Sequence, residues 1–113
     1  MQTRVCRLYG QDDLRIDTEA TTVPVGDEVL IRVGTGGVCG SDMHYYFEGG
    51  IGQIRVREPI ILGHEAAGTI VALGPDATSL AVGQKVAINP SHPCGTCRYC
   101  QQNLQQHCLS MKF

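Results

Sequence analysis

Three things are scarce in this 113-residue chain: clustered basic residues, long apolar runs and phenylalanine. Nine lysines and arginines are scattered among eleven acidic residues, giving a net charge of −2 and a pI near 6. No basic stripe can follow a phosphate backbone, so nucleic acid is not an expected partner. No stretch approaches the roughly 20 apolar residues that a membrane-crossing helix needs. Met1 to Gly10 also lacks an apolar block followed by a small-residue cleavage site, so a cytoplasmic protein with no membrane partner is expected. Phenylalanine occurs only twice against 14 glycines, a balance that favours short strands and turns over helices. The apolar fraction of 42% against 18% charge is in the globular range. This length suffices for one compact unit, and the composition suggests a β-rich barrel.

Segments rich in β-branched residues, each closed by a turn signal, predict strands over Leu14–Thr18, Glu28–Val33, Thr69–Leu73 and Lys85–Ile88. In the first, Leu14, Ile16 and Thr18 share one face; in the second, Val29, Ile31 and Val33 do, the period of a half-buried strand. Turns are expected at Pro24–Asp27, Gly74–Asp76 and Val82–Gln84. A helical turn is expected from Ser41 or Asp42, either of which can cap it, and another near Cys97–Asn103. Glu48 to Gly52 carries three glycines and is expected to be a mobile loop.

Cysteine is the residue present in excess: there are six, and Cys94, Cys97, Cys100 and Cys108 crowd into one short stretch. Nothing marks the chain as secreted, which favours a metal over disulfides. The spacing C-x2-C-x2-C-x7-C lets a short knuckle present three thiolates while a returning segment supplies the fourth. Four sulfurs around a tetrahedral zinc leave no open position, so such a site is structural. Two disulfides or an iron–sulfur cluster are the alternatives that spacing leaves open. His92 and His107 flank the cluster and, with four cysteines in place, read as ordinary surface histidines. Arg98 and Lys112 are candidates to soften its charge.

A second set consists of Cys39, in Gly37-Val38-Cys39-Gly40-Ser41-Asp42-Met43-His44, and His64 with Glu65, in Gly63-His64-Glu65-Ala66-Ala67-Gly68. A cysteine, a histidine and a carboxylate with one open position make a mixed site that keeps zinc reactive as a Lewis acid. The alternative is that Cys39 and His64 are core residues, since an isolated buried cysteine is usually a small hydrophobe.

These two motifs and the cysteine lobe, in this order, resemble the zinc-containing medium-chain alcohol and polyol dehydrogenases across nearly the whole chain. His44-Tyr45-Tyr46 followed by a glycine loop resembles the polyol branch. Ala87 to Gly95, with Met111-Lys112-Phe113, is similar to members of that branch acting on sugar acids. The resemblance implies a mainly β, GroES-like barrel with short helices and a four-cysteine zinc lobe. It implies catalytic zinc at Cys39, His64 and Glu65, structural zinc in the lobe, and an orienting role for Asp42 behind the zinc-bound histidine. Ser41 would hydrogen-bond the reacting hydroxyl, His44 would relay protons, and Tyr45 would line the substrate pocket. A sugar acid or polyol is the implied substrate, NAD or NADP the cofactor, and a homo-oligomer the assembly.

The cofactor of that family lies on a doubly wound domain marked by a glycine fingerprint. Gly34-Thr35-Gly36-Gly37 lacks its spacing. Residues 1–113 are therefore expected to be a catalytic domain that stops before the cofactor domain, binding zinc but oxidising no substrate by itself.

Overall fold

A computed structural model describes residues 1–113. Eight strands and one helix run in the order β1 (Gln2–Gly10), β2 (Asp13–Ala20), β3 (Val29–Gly36), α1 (Gly40–Glu48), β4 (Gly50–Ile51), β5 (Ile54–Arg55), β6 (Ile60–Ile61), β7 (Ala66–Leu73) and β8 (Lys85–Ala87). Two 3₁₀ turns, Cys100–Gln102 and Gln105–His107, complete the cysteine lobe. No helix is long and apolar enough to cross a membrane.

The strands pair as two three-stranded sheets, ordered β2-β1-β6 and β3-β7-β8, and a small β4-β5 hairpin. The mainly β architecture and the lobe match expectation, but no ring of ladders closes these sheets into a barrel. β1 was not legible as a strand, because Arg4 and Arg7 interrupt its apolar alternation. Its register with β2, from Gln2↔Ala20 to Leu8↔Leu14, explains why Arg7 is tolerated: its guanidinium reaches Asp17 at 2.8 Å and also pairs with Glu19. The Tyr9 hydroxyl donates to the same Asp17 at 2.5 Å.

The expected half-burial of β2 is corrected by this network. Leu14 and Ile16 are exposed, while the opposite face turns Asp17 and Glu19 toward Arg7. In β3, Val29 and Ile31 are partly covered but Val33 is exposed. Only seven of 113 residues are buried, Leu8 and Ile70 being the only large side chains wholly enclosed. Accessible area is 8292 Å², against about 6,100 Å² for a folded monomer of this mass. The excess is roughly 2,200 Å², and exposed apolar side chains such as Ile16, Val33 and Ile61 on strands and Val38, Phe47 and Phe113 elsewhere contribute to it.

Glu48–Gly52 is a turn into β4 rather than a mobile loop. Gly50 lies against the partner strand so closely that a Cβ there would stand 2.1 Å from the Ile54 carbonyl oxygen. Gly49 ends α1 with φ +70, its N–H donating to the Tyr45 carbonyl at 3.0 Å. Three further groups close that end of the helix: the Gln11 amide donates to Phe47 O at 2.7 Å, the Asp12 N–H to Tyr46 O at 2.8 Å, and the Arg55 guanidinium to Glu48 O. With its last carbonyls satisfied by the β1–β2 turn and by β5, α1 is held in one position.

Candidate metal centres and the adjoining cleft

The register of β3 with β7 brings Cys39 to His64 and Glu65 across 25 residues of sequence. The two strands run antiparallel and their pairing ends at Gly36↔Ala66. Cys39 follows the end of β3 by three residues, and His64-Glu65 immediately precede β7. Gly37 extends the contact, its N–H donating to the Glu65 carbonyl at 2.7 Å. A Cβ at Gly37 would lie 2.7 Å from Glu65 Oε2, so glycine is what lets the carboxylate occupy this position. The ligand atoms of Cys39, His64 and Glu65 all lie within 4.8 Å of one another.

The helix begins two or three residues earlier than Ser41 or Asp42 would set it: Cys39 is its capping residue, with extended backbone (φ −86, ψ 154). Asp42, in the first turn, reaches back and accepts the Cys39 N–H through Oδ2 at 3.1 Å. Its other oxygen faces His64 Nδ1 at 3.5 Å, the outer limit of a hydrogen bond. One carboxylate thus fixes the backbone of the cysteine and the ring of the histidine, leaving Nε2 of His64 as the free ligating nitrogen. A carboxylate behind a histidine is the usual device for orienting a metal-bound imidazole.

His64, Ser41 and Tyr45 line one cleft of about 820 Å³, whose other walls include Ile51, Ile61, Ile88, Pro90 and Phe113. His44 is not among its lining residues; it lies on the exposed side of α1, 3.0 Å from Glu48 Oε2. His92, which reads as a surface histidine in the sequence, does line the cleft. Its backbone is tied to Lys112 by two hydrogen bonds of 2.7 and 3.1 Å, a contact between residues 20 apart that no local pattern signals.

In the lobe, the sulfurs of Cys94, Cys97, Cys100 and Cys108 lie within 4.8 Å of one another, and no cysteine is in a disulfide. Cys94 Sγ and Cys100 Sγ stand 4.0 Å apart. Zinc–sulfur bonds of about 2.3 Å place tetrahedral sulfurs about 3.8 Å apart, so the cage fits one ion. A cluster would spread its four thiolates over several irons, and there is no room for that here. Backbone N–H groups already point at sulfur: Cys97 N–H at Cys94 Sγ (3.3 Å), Cys94 N–H at Cys108 Sγ (3.2 Å) and Ser110 N–H at Cys108 Sγ (3.4 Å). Donors from Thr96, its backbone first and its hydroxyl next, with the Cys97 N–H, pull the Cys94 thiol down to about 6. Burial pushes Cys100 up to about 12. Hydrogen bonds to sulfur likewise lower the Cys97 thiol, and thiolate is the form that ligates a metal.

The remaining candidates near the lobe point elsewhere. Arg98 stacks on Tyr99, 4.8 Å from the ring centre, and donates to its hydroxyl at 3.1 Å. His107 also packs near Tyr99, their ring centres 5.9 Å apart. Cys6 belongs to neither ligand set and lines an apolar cavity of about 340 Å³ with Leu14, Met43 and Phe47.

A three-ligand set with an exposed open side, a closed four-sulfur cage and a sheet scaffold define a domain class. The chain belongs to the alcohol dehydrogenase GroES-like domain family, whose model matches residues 25–113. It is 39% identical over 113 residues to L-idonate 5-dehydrogenase (NAD(P)(+)) of Escherichia coli, all of this chain and 32% of that protein. It is 39% identical over 106 residues to sorbitol dehydrogenase of Bombyx mori, 94% of this chain and 30% of that one. The crystal structure of the Escherichia coli L-idonate 5-dehydrogenase superposes with a TM-score of 0.88 at 36% identity, over all of this chain and 32% of that one. The chain spans about a third of the length of the curated relatives it matches.

Proposed function

We propose that these residues form the zinc-binding catalytic domain of an NAD- or NADP-linked dehydrogenase that oxidises a secondary alcohol of a sugar acid or polyol. The observation that carries this reading is the convergence of Cys39, His64 and Glu65 beside a cleft, with Asp42 behind the histidine. On this reading residues 1–113 precede a cofactor-binding domain in a longer cytoplasmic, oligomeric protein. L-idonate is the first substrate to test, from the similarity to the Escherichia coli enzyme, and sorbitol the second.

Cys39, His64 and Glu65 would hold the catalytic ion, and the four cysteines of the lobe would hold a structural one. When bound, zinc supplies Lewis acidity and the nicotinamide a hydride acceptor. Ser41, lining the cleft beside His64, would accept a hydrogen bond from the substrate hydroxyl and, as it takes that proton, hand its own hydroxyl proton outward to water. His44 is outside the cleft, exposed and paired with Glu48, and would take part in the relay only through water. Asp42 keeps His64 in the tautomer that offers Nε2. Tyr45 orders the substrate along the cleft, whose apolar walls exclude water from the reacting carbon. No acidic side chain lines the cleft, so the ammonium group of an amino-acid substrate such as threonine would meet no counter-charge there.

The test is an assay of the protein carrying this domain together with its cofactor domain. Zinc is supplied with NAD or NADP, and L-idonate, sorbitol and threonine are offered in turn. Turnover of a sugar acid or polyol, lost on Cys39→Ser, is expected. Turnover of threonine alone, or of none of the three, contradicts the proposal.

A further inference from the structure

We infer that His92 is a specificity-determining residue, one that hydrogen-bonds an oxygen at the far end of a multi-carbon substrate bound in the cleft. This rests on the proposed function and names how that site selects among alcohols. Four polar side chains line the cleft: Ser41, Tyr45, His64 and His92. His64 belongs to the metal-ligand set, and Ser41 and Tyr45 project from α1 close to it in sequence. His92 is outside both ligand sets and comes from a different part of the chain, the segment leading into the cysteine lobe.

Two features make His92 a recognition group rather than a chance surface ring. Its backbone is clamped on both sides, the His92 N–H to Lys112 O at 2.7 Å and the Lys112 N–H to His92 O at 3.1 Å, so the imidazole starts from a fixed Cα. It is also set among apolar walls, Ile61, Ile88, Pro90 and Phe113 among them. In such a cleft a few convergent polar groups determine which ligand fits, because an oxygen brought in without a partner loses its water and gains nothing.

The volume supports an extended occupant. About 820 Å³ exceeds what a two- to four-carbon alcohol fills and lies within the range of pockets for larger ligands. A substrate whose reacting carbinol sits at His64 has length to spare, and its distal oxygen needs a donor. Of the polar lining groups, His92 is the one that neither belongs to a ligand set nor comes from α1, which points to its imidazole for that role. The oxygen belongs either to a hydroxyl of a neutral polyol or to the carboxylate of a sugar acid; the recognising hydrogen bond is the same.

The experiment measures kcat and KM in the zinc-loaded protein with its cofactor domain, for wild type, His92→Ala and His92→Asn. Its three substrates are a six-carbon sugar acid, a neutral six-carbon polyol and 2-butanol, which carries no second oxygen for His92 to recognise. Loss of one such hydrogen bond should lower kcat/KM for the six-carbon substrates, relative to 2-butanol, about 10-fold in His92→Ala. The change should fall in KM, and His92→Asn, which keeps an N–H donor, should recover part of it. A ratio that falls for the sugar acid alone identifies the carboxylate as the recognised group; a fall for both identifies a hydroxyl. A ratio that moves for neither overturns the inference. Should the wild type oxidise none of the three, the proposed function fails separately. Calorimetric binding of the six-carbon compounds then decides: binding weakened by His92→Ala supports the role of His92, and binding that is equal or absent overturns it.

Discussion

Replacing Asp42 should separate two jobs that one carboxylate performs. Oδ2 accepts the Cys39 N–H at 3.1 Å, and Oδ1 faces His64 Nδ1 at 3.5 Å. Losing the group that orients a ligating imidazole lowers metal affinity by about 10- to 100-fold. The 3.5 Å separation is long for a hydrogen bond, so the effect should lie near the lower end, about 10-fold or 1.4 kcal/mol. The capping contact adds about 1 kcal/mol of fold stability, which for a domain of this size is about 4 °C in Tm. Asp42→Ala should therefore weaken one of two zinc sites and lower Tm. Asp42→Asn keeps an oxygen for Cys39 but places no anion at His64, so it should weaken the same site with little change in Tm. Competition against a chromogenic chelator resolves the two sites, and thermal unfolding reads the cap. Equal loss from both sites, or unchanged affinity in both variants, would refute the reasoning.

Three further outcomes follow from the same contacts. Cys97→Ser should release the lobe's ion while the Cys39 site keeps its own, and a thiol reagent should then react with Cys94 ahead of the buried Cys100. Gly68→Ala forces a Cβ to within 2.2 Å of the Arg32 carbonyl oxygen on the paired strand. It should destabilise the fold by about 2 kcal/mol or more, as overpacking does, which a urea midpoint would measure. Asp17 is held below the ordinary aspartate range, first by the Tyr9 hydroxyl and then by Arg7. A depressed carboxyl contributes stability that is present above its unfolded pKa and disappears as pH falls through its folded one, hence in acid below about pH 4. In a carboxyl-carbon NMR titration, Tyr9→Phe and Arg7→Ala should each raise the Asp17 midpoint.

The parts of the fold that were legible are those whose cause is local. Cysteine spacing alone locates the lobe, and β-branched runs locate β3, β7 and β8. The rest depends on partners distant in sequence. β1 looks unlike a strand until Arg7 meets Asp17 and Glu19 across the β1–β2 register. The glycines after Glu48 look mobile until Gly50 is seen pressed against Ile54. Leu14 and Ile16 carry the alternation of a half-buried strand, yet Ile16 is largely exposed and Leu14 only lines an open cavity with Met43 and Phe47. Motifs name Cys39, His64 and Glu65, but only the Gly36↔Ala66 end of the β3–β7 ladder explains why they meet. His92 joins the cleft through its bridge to Lys112, for which the sequence holds no signal.

The central claim is two metal sites of different kinds, and counting zinc tests it directly. Elemental analysis of the purified protein should find about two zinc ions per chain, falling to about one in Cys39→Ser with the lobe's ion retained. One zinc per chain that Cys39→Ser leaves in place would contradict the account, making Cys39 and His64 packing residues and the lobe the only metal site.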